Sequence, residues 1–179
     1  MQIGIIGSNK SQCSNELYEF AYNLGLLLGK KGITIVNGGM QGTMEAVSRG
    51  VKDSKNILSK TVGILPFDNK EKANKYLDVI IPTGIGFARN SVIVLSSDIL
   101  IALGGGAGTL NEISYAWQFG KKVFCYTGTE GWSKKLANQN LDNRKDGLLI
   151  GFKSLEELSK LIFNKIKIKI FCHSSRGIF

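Results

Sequence analysis

Apolar residues in this chain fall into short runs separated by stretches in which they recur every three or four positions, the pattern of strands alternating with helices. Ile3 to Ile6 is a first apolar run that stops at Gly7-Ser8-Asn9, and from about Ser14 to Lys30 the residues Leu17, Phe20, Ala21, Leu24, Leu27 and Leu28 keep helical spacing. Gly32 ends that helix, Ile33 to Val36 reads as a second buried strand stopping at Asn37-Gly38-Gly39, and a helix follows from about Gly42 to Lys52. Thr61 to Leu65 and Asp78 to Ile81 are short strands closed by Pro66 and Pro82, whose missing N–H ends pairing; Asp68 to Lys75 between them is a polar connection. A helix is expected within Gly84 to Ser97, beginning near Phe87 and carrying Arg89 in its first turn or in the loop before it. Val92 to Leu95 on that helix is a dense apolar run suited equally to a partner or to the sheet.

The centre of the pattern is Ile99 to Tyr115. An apolar run to Leu103 meets Gly104-Gly105-Gly106, and after Ala107 and Gly108 the spacing becomes helical. Strand, glycine turn and helix in that order let a ligand approach the backbone and aim the unpaired N–H groups of the helix start at it, which favours an anion such as phosphate. Thr109 adds a hydroxyl, and Glu112, one turn on, is placed to accept from ligand hydroxyls or simply to favour the helix dipole. Beyond lie a strand at Val123 to Tyr126, a short helix from Trp132 to Asn138, and a strand at Leu148 to Phe152. A capping box at Ser154-Leu155-Glu156-Glu157 opens a last helix running to about Asn164. The tail from Ile166 to Phe171 alternates like a strand yet continues a helical segment, and both readings stay open; His173 and Cys172 there are not candidates for chemistry. The whole is an α/β chain with a mainly parallel sheet covered on both faces, one domain over residues 1–165 and a tail over 166–179.

The centre has an echo. Gly38-Gly39-Met40-Gln41-Gly42-Thr43 follows strand two as Gly104-Gly105-Gly106-Ala107-Gly108-Thr109 follows the central strand, so either two helix starts face one ligand or the first copy only supplies a tight turn and close packing. With Gly7 and Ser8 after strand one, the candidate ligand-binding residues are Gly7, Ser8, Gly38, Gly39, Gly42, Thr43, Gly105, Gly106, Gly108 and Thr109. Neither loop continues into the Gly-Lys-Ser/Thr of a P-loop, and no dinucleotide fingerprint follows strand one.

Composition narrows the partners. With 179 residues, 43% of them hydrophobic, the chain suits one compact domain. Its formal charge of +9 is carried by scattered lysines with no interleaved aromatics, so a solvated surface is expected and nucleic-acid binding is not. Cys13, Cys125 and Cys172 are too few and too far apart for a disulfide framework or a metal knuckle; reduced thiols and no metal site are expected. The amino terminus shows no leader pattern and no stretch is apolar enough to span a bilayer, so a cytoplasmic protein without membrane contact is expected.

The stretch from Gly104 to Glu112 resembles the PGGxGTxxE signature of the LOG-like proteins, the family of cytokinin-activating phosphoribohydrolases once widely labelled lysine decarboxylases. Gly105 and Gly106 match its paired glycines, Gly108 and Thr109 its GT, and Glu112 its acid, while Arg89 corresponds to the family's catalytic arginine. Gly104 in place of the proline, together with Phe87-Ala88-Arg89-Asn90, is more similar to the branch that includes the molybdenum cofactor carrier proteins. The resemblance implies a Rossmann-like three-layer α/β/α sandwich and a homo-oligomer, dimer or tetramer. It implies a phosphorylated small-molecule partner, nucleotide or pterin. Two functions are open: a carrier with molybdenum cofactor as bound cargo, or a hydrolase of nucleoside 5′-monophosphates that needs no cofactor, with Arg89 and Glu112 as its catalytic pair. Pyridoxal phosphate chemistry is set aside, because no pattern positions a Schiff-base lysine.

Overall fold

A computed structural model of the chain describes residues 1–144 and 147–164; the tail expectations for Ile166 to Phe171, Cys172 and His173 lie outside the described residues. Among the described residues seven parallel strands form a single sheet: β1 (Gln2–Gly7), β2 (Thr34–Asn37), β3 (Thr61–Leu65), β4 (Val79–Pro82), β5 (Ile99–Leu103), β6 (Lys122–Tyr126) and β7 (Leu148–Phe152). Their spatial order is β4-β3-β2-β1-β5-β6-β7. The chain winds outward from β1 to one edge, returns to the middle at β5, and winds to the other edge. The reversal between β1 and β5 leaves a crevice at the carboxyl ends of those two strands, where this architecture seats ligands.

Helices α1 (Asn15–Lys30), α2 (Thr43–Asp53) and α6 (Leu155–Ser159) cover one face, and α3 (Arg89–Leu95), α4 (Ala107–Gln118) and α5 (Trp132–Leu136) the other. Alternation within the strands assigns the faces: Ile3, Ile5, Ile101 and Leu103 pack under α1 and α2, whereas Ile6, Leu100 and Ala102 pack under α3 and α4. This is the Rossmann-like three-layer sandwich that the resemblance implied.

Local signals account for the helix boundaries. Ser14 caps α1 by accepting from the Leu17 N–H at 3.2 Å. Ser154 Oγ does the same for Glu157, whose carboxylate accepts from the Lys153 N–H one residue before the cap. Four boundaries differ from expectation. Phe87 belongs to a 3-10 turn over Gly86–Ala88, and α3 starts only at Arg89. Pro82 pairs with Leu65 as the last residue of β4, which an edge strand permits because the missing N–H faces no neighbour. The helix opened at Trp132 ends at Leu136, and α6 gives way at Lys160 to a π-helical turn reaching Asn164. The Val92 to Leu95 run is divided: Ile93 and Val94 are fully buried under the sheet and Leu95 is exposed.

The tightest packing is between α1 and α2. A Cβ on Gly25 would lie 2.2 Å from the Val47 carbonyl oxygen, and one on Gly50 would lie 2.1 Å from that of Tyr22, so the two backbones touch. Gly50→Ala therefore forces the helices apart and is expected to destabilise the fold by about 2 kcal/mol, read as a lower urea midpoint at unchanged slope.

Candidate functional site

Three loops meet at the carboxyl end of the sheet: residues 8–14 after β1, 38–42 after β2 and 104–106 after β5. Ser8, 2% exposed, ties them together. Its N–H donates to the Leu103 carbonyl (3.1 Å), its Oγ accepts from the Gly105 N–H (2.9 Å), and its carbonyl accepts from both the N–H and the hydroxyl of Thr43 (3.0 Å each). A fourth tie comes from Ser133, which accepts from the Gly104 N–H and donates to the Tyr126 carbonyl.

These ties hold open a cavity of about 310 Å³. Its floor includes Ile5, Ile6 and Gly7; Gly106, Ala107, Gly108, Thr109 and Glu112 of α4 form one wall; Arg89 and Asn90 of α3, with Phe87 before them, form another. Gly38, Met40, Met44, Asn9 and Gln12 complete the rim. No side chain caps α4 at Gly106, so the N–H groups of its first turn, which have no intrahelical acceptor, face this space. With the helix dipole they favour a negative group there.

Arg89 stands against that helix start, 5% exposed, with Nη1 3.5 Å from Glu112 Oε1 and 3.0 Å from the Asn90 side-chain oxygen. The guanidinium fits because Gly38 has no side chain: a Cβ there would lie 2.6 Å from Nη2. Arg89 Nε is buried without a hydrogen-bond partner among the described residues, a donor for which the cavity is the remaining source of an acceptor. Burial pushes the Glu112 carboxyl up to about 8, with Arg89 pulling it back, and burial likewise lowers the Arg89 guanidinium from its usual range against the pull of Glu112. Burial thus works against the ionised form of Glu112 and leaves the Arg89 charge less fully compensated than in an exposed pair.

Of the twelve residues singled out from the sequence, Gly7, Gly38, Arg89, Gly106, Gly108, Thr109 and Glu112 line the one cavity. Ser8, Gly39, Gly42, Thr43 and Gly105 lie behind it. The Gly39 N–H donates to Asn37 Oδ1, and Thr43 and Gly105 are engaged by Ser8, so the first glycine loop serves chiefly as a brace. Sequence reasoning missed Gln12, Met44, Phe87 and Asn90, which also line the cavity. Asn90 follows Arg89 directly and was legible from it; the others arrive from separate elements and carried no periodic signal. Cys125 is buried in the core with its thiol pushed up to about 12, outside any reactive range. Among the described residues no helix is long and apolar enough to cross a membrane.

A family profile described as the SLOG cluster4 family matches residues 1–159. The chain is 45% identical over 123 residues to an uncharacterized protein of Archaeoglobus fulgidus, covering 69% of this chain and 78% of that one. It is 33% identical over 116 residues to a cytokinin riboside 5′-monophosphate phosphoribohydrolase of Mycobacterium tuberculosis, covering 64% of this chain and 58% of that one. Among solved structures it is similar to the molybdenum cofactor binding protein of Rippkaea orientalis, with 33% identity and a TM-score of 0.79 over 92% of this chain and 96% of that one.

The buried pair has a measurable consequence for stability. Between the ordinary Glu value of 4.5 and about 8, folded Glu112 keeps a proton that the unfolded chain has released. Stability therefore falls as pH rises through this window, by roughly 1.4 kcal/mol per pH unit at its steepest, and the contribution is fully present only below it. Glu112→Gln keeps the shape and removes the titration. Urea unfolding of this variant is expected to show a flatter pH dependence than the native chain and a higher midpoint at pH 8.

Proposed function

This chain belongs to the SLOG cluster4 family and is LOG-like, with a molybdenum cofactor binding protein and the molybdenum cofactor carrier protein of Chlamydomonas reinhardtii among its structural neighbours, and from that premise we propose that it binds a phosphorylated ring compound as a carrier, with molybdenum cofactor as its cargo. The observation that carries the reading is the uncapped first turn of α4 facing Arg89 across a cavity, with Arg89 Nε buried and without a partner among the described residues. A phosphate seated there accepts from the N–H groups of the helix start and from the Thr109 hydroxyl, and supplies the acceptor that Arg89 lacks. The raised Glu112 carboxyl supports the same reading, since burial works against a negative charge beside the anion. Below about pH 8 the acid also has a proton to donate toward the ligand.

Gly108 provides a clean probe, because a Cβ at this position meets nothing within 4 Å. Gly108→Asp places a carboxylate on the cavity wall in the first turn of a helix, where an acid favours the helix dipole and leaves folding intact. Affinity for AMP and for a phosphorylated pterin, measured by calorimetry, is expected to fall about tenfold or more while the thermal midpoint holds. Purified native protein is expected to carry, or to protect when added, a cofactor that yields a fluorescent oxidised pterin. A chain that does neither is not a carrier.

One observation favours a second reading. A carboxyl tuned to about 8 in a cavity wall is placed for proton transfer near neutral pH, which suits hydrolysis of the N-glycosidic bond of a nucleoside 5′-monophosphate. Water would add at the sugar carbon as the bond to the base breaks, giving free base and ribose 5-phosphate. On this reading, incubation with AMP releases adenine at a rate that Glu112→Ala abolishes. Release no faster than from that variant excludes it.

A further inference from the structure

A second recess adjoins the cavity, and the two share Phe87, Asn90, Ala107 and Gly108. Asn111 and Tyr115, one and two turns along α4 from Ala107, extend it up the outer side of that helix. Phe87 is 80% exposed, and a lone exposed aromatic means little. Its mounting is what distinguishes it. The ring is carried on the 3-10 turn directly before Arg89, and Gly84 and Gly86 ahead of it both take positive φ (65° and 58°), a reversal that brings Phe87 to the edge of both hollows.

The facing wall is equally defined. Tyr115 is stacked on Phe119, with ring centroids 6.0 Å apart and planes 6° from parallel. The Asn111 carbonyl oxygen accepts from Asn90 Nδ2 at 2.9 Å, which fixes the amide, while its own N–H donors find no acceptor among the described residues. Neither Phe87 nor any other residue lining this recess carries a charge.

We propose that the recess between Phe87 and Tyr115 is the seat of the ligand's planar heterocycle, with Phe87 as the stacking and specificity-determining residue. The inference rests on the phosphate being held at the α4 start. Ala107 and Gly108, whose N–H groups face that phosphate, border both hollows, so a ring tethered to it lies within reach of Phe87 and Tyr115. Two aromatic walls and an amide with spare donors match a flat ring bearing acceptor nitrogens or carbonyls, as in a purine or a pterin. A second phosphate finds no cation here, and an aliphatic chain leaves the amide unanswered.

Calorimetry on the full chain with ribose 5-phosphate, AMP and a phosphorylated pterin separates anchor from ring. In Phe87→Ala the affinity for the ring-bearing ligand is expected to fall about tenfold while that for ribose 5-phosphate is unchanged, the latter showing that fold and anchor survive. Phe87→Trp is expected to retain affinity and to lose fluorescence on adding the ring-bearing ligand but not ribose 5-phosphate. The proposal is overturned if Phe87→Ala leaves the preference for ring-bearing ligands intact, or weakens all three probes alike. It is also overturned if the substitution lowers the mass in solution, which assigns Phe87 to a contact with a second copy. Should the native chain bind ribose 5-phosphate no better than Gly108→Asp does, the phosphate reading fails and takes the ring seat with it. Intact phosphate binding without a ring effect removes the ring seat alone.

Discussion

The site depends on one small residue. From a fully buried position in the loop after β1, Ser8 reaches two other segments: its N–H holds the end of β5 and its hydroxyl the Gly105 just beyond it, and its carbonyl holds Thr43 at the head of α2. Each contact is an ordinary hydrogen bond, worth about 1 kcal/mol net, but leaving any of the groups unpaired in a dry interior costs more. The approach needed is close. A Cβ on Gly7 would sit 2.4 Å from the Leu103 carbonyl oxygen, so β1 and β5 converge at their carboxyl ends only because that side chain is missing. What the convergence produces is a helix start, that of α4, held at the mouth of the crevice and left uncapped.

Against this brace stands a pair that does not stabilise the fold. Arg89 and Glu112 are almost wholly buried, and their contact at 3.5 Å offsets only part of the cost of removing both from water. Burial accordingly pushes the Glu112 carboxyl up, and Arg89 Nε finds no acceptor among the described residues. Among the described residues Arg89 Nε is the one buried side-chain polar atom without a partner, which sets this pair apart from the rest of the core. Among the described residues lining the cavity Arg89 and Glu112 are the only ionisable ones, so its electrostatic character is set by this pair and the dipole of α4.

The two glycine loops, alike on paper, have diverged in task. After β2, the Gly39 N–H is taken up by Asn37 and Thr43 is turned toward Ser8, which makes that loop a support. After β5, Thr109 folds back over Gly105 and remains in the cavity wall, and Gly106 and Gly108 keep the wall low. Gly38 belongs to the site in another sense: it clears the volume that the Arg89 guanidinium fills.

Much was readable from residues alone. The order of strands and helices followed from apolar periodicity, and the glycine turn before α4 marked the start of that helix, because both are local properties of the chain. The pairing of Arg89 with Glu112 followed only from family resemblance. Which members of the glycine loops face the cavity and which face Ser8 was decided by how three loops, distant in sequence, pack at the reversal of strand order. Periodicity carries no information on such contacts, since each depends on where another element ends. The same holds for Phe87, Met44 and Gln12, and for the upward push on the Glu112 carboxyl. A carboxyl on the first turns of an amphipathic helix reads as solvated until the sheet, α3 and the loop after β1 close around it and exclude the water that would have ionised it.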